Sequence, residues 1–160
     1  MSRVELEYPG PTSPMIGAQL RLAAEATHRE LYTRLLDAGF DDIRLTHFAL
    51  FGFPGLHGLR PTELAERKGM SKQNLNALLN ELDDLGYLRR VPAPGDRRHR
   101  VLELTERGLA FAAAMKRILI NIEAEVAAHV GTHHFDQTRN VLAAIAAIYP
   151  AAASDQPPGR

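Results

Sequence analysis

The segment from residue 71 to residue 80, SKQNLNALLN, holds four side-chain amides. At the 100° spacing of a helix, its polar and small side chains share one face and its leucines lie opposite. Amides can pair bidentately with adenine, and a small side chain can meet a thymine methyl. An ordinary solvated helix also has a polar face, but asparagine weakens a helix without adding to its packing. We therefore predict that this face reads DNA through Ser71, Lys72, Gln73, Asn74, Asn76, Ala77 and Asn80.

A second group of candidate residues follows the turn Pro94-Gly95 in the stretch PGDRRHR. Arginines at the tip of a hairpin can enter the narrow minor groove of DNA, where the potential is most negative. Asp96 is placed to hold Arg98 by a charge-assisted bond that sets the direction of the arginine. A solvated charged turn is the alternative for the stretch alone. Next to the amide-rich helix, we predict a DNA contact by Asp96, Arg97, Arg98 and Arg100.

The overall charge hides an asymmetry that agrees with this interpretation. The chain of 160 residues has 19 basic and 19 acidic residues, but residues 60–100 hold nine basic residues against six acidic ones. Local charge decides nucleic-acid binding. The chain has no cysteine, which excludes a disulfide framework and a thiolate metal site. The amino-terminal sequence does not resemble a secretory signal and no apolar run is long enough for a membrane span, so we expect a cytoplasmic protein without membrane contact.

The elements that must position these residues can be read from the apolar spacing. Helical patterns cover residues 15–38 and 43–51, and two short helices lie on either side of Gly69. Two strand-like runs flank the turn at residues 94–95 and precede two further helices, over 105–130 and 135–149. The predicted fold class is mainly α with a small β-hairpin wing, which is a winged helix-turn-helix domain plus terminal helices.

Two stretches, residues 59–90 and PGDRRHRVLELTERG, resemble the MarR family of bacterial transcriptional regulators. The wing pattern of that family matches here at Asp96, Arg98, Leu104, Thr105 and Gly108. The resemblance implies a homodimer with the recognition helix in the major groove and Arg98 in the minor groove. It also implies a repressor that a small, often aromatic, ligand releases from DNA. Arg60 departs from the family pattern, since a serine or threonine cap is usual at that position.

The resemblance leads to a specific domain organisation. We expect an extended arm over residues 1–14, a single MarR-like domain over 15–149 and a disordered tail over 150–160. Within the domain, the winged helix covers about 43–104, and the dimerisation helices cover about 15–38 and 105–149. The alanine-rich terminal helices favour packing against a second copy, although packing within one chain is the alternative. A two-fold dimer would read a pseudo-palindrome with half-sites ~34 Å apart.

An effector pocket is a weaker prediction, because aromatic residues at helical spacing are more often part of a core. Its candidate residues are Tyr32, His47, Phe48 and Phe51. His129, His133 and His134 cluster without supporting ligands, so we predict no metal site and no cofactor. No phosphate loop, nucleophile elbow or dinucleotide motif is found, so an enzyme is not predicted. Besides the repressor, a winged helix used only for protein contact and a small metal-dependent enzyme remain as alternatives.

Overall fold

The computed structural model describes residues 15–51 and 56–148. The predicted arm (1–14) and tail (150–160) lie outside the described residues, as do four residues of the loop after the second helix. The elements in chain order are α1 (Ile16–Asp37), α2 (Leu45–Phe51), α3 (Pro61–Lys68), α4 (Lys72–Asp84), β1 (Leu88–Ala93), β2 (Asp96–Leu104), α5 (Glu106–Val130) and α6 (Thr132–Ile148). The described residues form six helices and one antiparallel hairpin, which confirms the predicted fold class.

The helix ends follow from local hydrogen bonds. Ser71 accepts the Asn74 N–H at 3.2 Å and begins α4, and Gly69 ends α3 in the left-handed conformation. Arg60 has no acceptor atom in its side chain, so α3 is capped from the other side: Glu63 accepts the Arg60 N–H at 3.2 Å.

The start of the last helix corrects the sequence analysis. Helix α6 begins at Thr132 and not at Phe135, because the Phe135 N–H already bonds to the Gly131 carbonyl at 3.1 Å. Gly131 itself has a φ of 88°, which ends α5 one residue before α6 begins.

An aromatic cluster around Phe111 of α5 joins the helices into one core. Its ring centroid lies 4.6 Å from that of Phe51, 5.2 Å from Phe40 and 5.5 Å from Tyr87, all in edge-to-face geometry. Such pairs add stability beyond the area they bury. The cluster connects α2, the loop after α1 and the start of β1 to α5, and so fixes the winged helix on the long helix.

The hairpin is held on both sides. Strands β1 and β2 pair from Leu88 with Leu104 to Pro92 with Arg100, after which the register jumps so that Ala93 pairs with Asp96. Residues 97–99 therefore bulge out of the ladder. On the other edge of β2, the backbone of Gly58 and Leu59 bonds to that of Leu102 at 2.7 and 2.9 Å. The free end of the hairpin is thus the bulged segment.

Gly108, the last residue of the wing motif, is required by packing. A Cβ at this position would overlap the backbone carbonyl oxygen of Tyr87. Thr105, which begins α5 by accepting the Gly108 N–H at 3.1 Å, also donates to the Gly86 carbonyl. The motif residues therefore dock the first turn of α5 on the start of β1.

The terminal helices bury less. Helix α6 has no buried residue, and in α5 the buried face is formed by Gly108, Phe111, Ala114, Met115, Ile118 and Ile122. Leu109 and Val126 of α5 are exposed at 55% and 43%. None of the described helices is both long and apolar enough to cross a bilayer.

Candidate nucleic-acid interface

The polar face of α4 is free in the single chain. All seven residues predicted for this face are exposed, and Leu75, Leu79 and Leu82 on the opposite side are buried. Leu78, expected in the buried stripe, is partly buried against the same core. The side-chain amides of Gln73, Asn74, Asn76 and Asn80 have no hydrogen-bond partner among the described residues. The face therefore offers unpaired donors and acceptors on a rigid helix.

Two of the three acidic side chains at the far end of α4, Glu81 and Asp83, are paired. Glu81 contacts the Arg44 guanidinium and lies 2.9 Å from His47 Nε2. Asp83 lies 3.5 Å from Arg90 of β1. These pairs reduce the negative potential beside the amide face. A polyanion approaching the amino-terminal half of α4 therefore meets little repulsion.

The wing places Asp96 differently from the sequence prediction. Its Oδ1 accepts the backbone N–H of Arg98 at 2.9 Å, and its Oδ2 lies 2.6 Å from His99 Nδ1. The predicted bond to the Arg98 guanidinium is therefore wrong, because an aspartate naturally meets the N–H two residues on and the other oxygen is taken by His99. These two contacts hold the pKa of Asp96 below its usual range, so it stays ionised.

The wing arginines differ in their contacts. Arg98 is exposed, and its guanidinium has no partner among the described residues. Arg100 is exposed and donates weakly to the Arg90 carbonyl at 3.5 Å. The side chain of Arg97 lies outside the described residues. Because Asp96 fixes the backbone and not the guanidinium, Arg98 keeps all its donors for another molecule.

A cleft of about 600 Å³ opens between α1 and α2. It is lined by Glu25, His28, Arg29, Leu45, Phe48 and Ala49. Of the four predicted effector residues, Phe48 lines this cleft. The ring of Tyr32 packs on the ring of Phe48, with their centroids 6.0 Å apart. His47 and Phe51 are buried in the core. The cleft thus draws its polar residues from α1 and its apolar residues from α2.

Sequence reasoning missed three contributors. His99 pairs with Asp96 inside the wing, and its position three residues after Asp96 was the available signal. Arg29, whose guanidinium has no partner among the described residues, lines the cleft. Its separation of three residues from Tyr32 on one helix was a weak signal. Glu81, the acid that directly follows the predicted amide face, is the partner of the buried His47.

Comparisons with known proteins agree with this geometry. The sequence model of the MarR family matches residues 41–99. The repressor CouR bound to a 23-mer DNA duplex is 24% identical, with a TM-score of 0.65 over 82% of this chain and 92% of that chain. CouR from Rhodococcus jostii bound to p-coumaroyl-CoA is 19% identical, with a TM-score of 0.65 over 88% of this chain and 98% of that one.

A third structure, a MarR family protein of Mycobacterium tuberculosis in complex with salicylic acid, is 23% identical. The match covers 84% of this chain and 98% of that chain, with a TM-score of 0.60. These similarities show the fold, and the family match covers the helix-turn-helix and most of the wing. The resemblance seen in the sequence is confirmed for the winged-helix segment, where residues 41–99 match the sequence model of the MarR family.

Proposed function

We propose that the chain is a transcriptional repressor that binds double-stranded operator DNA as a homodimer and responds to a small ligand. One observation carries the proposal: the side-chain amides on the exposed face of α4 and the guanidinium of Arg98 in the wing have no partner among the described residues. The first has the chemistry of major-groove readout and the second that of minor-groove insertion. The solved structures similar to this chain are of transcriptional regulators, so the role that we propose for the chain is cytoplasmic and not enzymatic.

Apolar side chains left exposed on the terminal helices support the homodimer. Ile148 of α6 is 67% exposed and Val141 is 51% exposed, and α5 adds Ile120, Val126 and Val130. Single exposed apolar residues are ordinary, but a concentration of them on adjoining helices marks an interaction surface. A second copy would cover this surface and set two α4 helices about one DNA turn apart. The proposed domain organisation keeps residues 15–38 and 105–149 as dimerisation helices.

The cleft between α1 and α2 supports an aromatic, anionic effector. Phe48 and Leu45 offer apolar contact, and Arg29 offers an unpaired cation. Glu25, the acid in the lining, is paired with Arg21 at 2.7 Å, which leaves the positive charge of Arg29 less opposed. Related structures hold p-coumaroyl-CoA and salicylic acid. We propose salicylate as the first probe, and we expect Arg29→Ala to reduce its effect on DNA binding.

The test is a titration of the purified chain onto a duplex that the chain itself enriches from a random-sequence pool, with a shuffled duplex as control. Fluorescence anisotropy at several salt concentrations should show tighter binding to the enriched duplex than to the shuffled one. The affinity should fall with salt, with a slope near −0.9 per neutralised phosphate in log K against log salt. The proposal would be overturned, and a protein-contact module favoured, if the pool yields no enriched sequence or if the selected duplex binds no better than the shuffled one.

The wing residue is tested in the same assay. Arg98→Ala should weaken binding by about tenfold, within the range of 1–3 kcal/mol for a groove-reading arginine. Because Arg98 has no partner in the folded chain, the free energy of unfolding should change by less than ~0.5 kcal/mol. Arg89→Ala is the matched control, since Arg89 is an exposed arginine of the same hairpin that pairs with Glu103 at 2.7 Å. Equal affinities of the two variants would remove the wing from the mechanism.

A further inference from the structure

His47 is a buried polar residue inside the apolar core, with no exposed surface. Its Nδ1 accepts the backbone N–H of Arg44 at 3.2 Å, and its Nε2 lies 2.9 Å from Glu81 Oε2. A ring nitrogen that accepts an N–H carries no proton in the neutral ring, so Nε2 carries it and donates to Glu81. One tautomer therefore satisfies both contacts of the side chain.

The position of His47 gives these contacts a second meaning. His47 is the third residue of α2, and its bond to the Arg44 N–H caps the start of that helix as the glutamate of a capping box does. The other nitrogen reaches across to Glu81 of α4, which also receives the Arg44 guanidinium. The start of α2 thus holds the acidic end of α4 from two directions.

The two faces of α2 contact different things. His47 faces α4, whereas Leu45, Phe48 and Ala49 line the cleft beside α1. Glu81 directly follows Asn80, the last residue of the exposed amide face. Base readout requires side chains placed within a fraction of an ångström, so the angle of α4 matters as much as its composition. Helix α2 therefore contacts the cleft on one face and, on the other, the helix whose angle matters for base readout.

We propose that His47 is a positioning residue for DNA recognition, which through Glu81 fixes α4 relative to α2 and so joins the cleft to the amide face. This inference rests on the proposed function and adds the contact by which the effector cleft and the DNA-reading helix are coupled. Burial and the nearby Arg44 lower the pKa of His47. The lowered pKa favours the neutral imidazole, which donates its Nε2–H to Glu81. A shift of α2 caused by an occupant of the cleft would carry α4 with it.

The experiment uses the full chain, the enriched duplex and the shuffled duplex. His47→Leu keeps the approximate volume and removes both contacts, and His47→Gln supplies an amide that can donate and accept. We expect His47→Leu to lose about tenfold in affinity for the enriched duplex and nothing for the shuffled one. His47→Gln should stay within about threefold of the wild type. A purely structural loss would lower the active fraction equally for both duplexes and would leave their ratio unchanged.

Glu81→Ala tests the contact from the half-exposed side, where folding is less at risk. Removing an acid near DNA raises affinity by electrostatics alone, so Asp84→Ala, an exposed acid on the same helix, is the matched control. Relative to Asp84→Ala, Glu81→Ala should lose about tenfold on the enriched duplex. The double variant with His47→Leu should lose no more than either single one, because both remove the same contact.

The outcomes separate the two proposals. The positioning role alone would be overturned by two results together with a wild-type preference for the enriched duplex. In the first, His47→Leu keeps the wild-type preference for that duplex. In the second, Glu81→Ala keeps the same preference as Asp84→Ala. If His47→Leu does not fold, Glu81→Ala against Asp84→Ala decides the matter. A wild-type chain without preference for any duplex would overturn the proposed function and this inference with it.

Discussion

The winged helix and the terminal helices differ in how much apolar surface one chain can bury. In α4, Leu75, Leu79 and Leu82 are at most 1% exposed, whereas in α6 every apolar side chain retains exposed surface. The winged helix is thus complete in a single chain, and the terminal helices leave a face uncovered. The stability of the winged helix should depend on packing within the chain, whereas the stability of the terminal helices should depend on association with another copy.

The largest effect should follow from charging the uncovered face. Val141→Glu places an unpaired carboxylate on a side chain that is 51% exposed, so little packing within the chain is lost. Burying such a charge in an apolar interface costs several kcal/mol. We expect the dimer dissociation constant to rise at least ~100-fold, about 2.7 kcal/mol, measured by sedimentation over a range of protein concentrations.

Leu109→Glu is the matched control for this prediction. Leu109 is 55% exposed, but it lies at the start of α5 next to the base of the wing. The control variant should therefore associate like the wild type. Dissociation by Leu109→Glu and not by Val141→Glu would place the interface at the wing base and would break the comparison drawn above.

A second change tests the winged helix from inside. Gly108→Ala should raise helix propensity by up to about 1 kcal/mol, but its Cβ would overlap the Tyr87 carbonyl oxygen. Backbone cannot move aside as a side chain tip can, so the overlap should win. We expect a net loss of about 2 kcal/mol in the free energy of unfolding, measured with urea.

Gly17→Ala supplies the control for Gly108→Ala, because nothing lies within 4 Å of a Cβ at Gly17 in α1. The same substitution there should leave stability unchanged or increase it by up to about 1 kcal/mol. Stabilisation by both substitutions would mean that the contact between α5 and β1 is looser than described.

The amide face of α4 could be predicted because four leucines at helical spacing determine which side is buried. The wing contact could be predicted only in part. Two residues of separation place Asp96 near Arg98, but they do not tell whether its carboxylate meets the guanidinium or the backbone N–H. The backbone donor is nearer and loses no side-chain entropy on bonding, so it prevails.

The cleft was the hardest part to predict. Arg29 reads as a residue of a solvated helix face until α2 packs beside it, and a single histidine between apolar residues does not reveal its partner. His47 and Glu81 are 34 residues apart in the chain and meet only through the docking of α2 on α4. Contacts of this kind depend on tertiary placement, which apolar periodicity does not specify.

The smallest effect concerns an ion pair within the terminal half. Arg34 of α1 donates to both carboxylate oxygens of Glu125 of α5, at 2.7 and 2.6 Å. Hydrogen bonds from Arg34 lower the pKa of Glu125 below its ordinary value of 4.5. A lowered carboxylate pKa contributes stability that is present above the ordinary pKa and is lost as the pH falls through the lowered one. Exposed pairs contribute little, so the change should be modest.

Glu125→Gln should therefore lie below the wild type in unfolding free energy at neutral pH and converge with it in acid. The measurement is urea unfolding at several values between about pH 3 and pH 7, which spans the glutamate titration. Glu123→Gln is the matched control, because Glu123 of the same helix lies 3.7 Å from Arg139 of α6, beyond hydrogen-bond distance. Its curve should run parallel to that of the wild type. A parallel curve for Glu125→Gln as well would mean that the pair does not fasten α1 to α5, and that apolar packing alone joins the terminal helices of one chain.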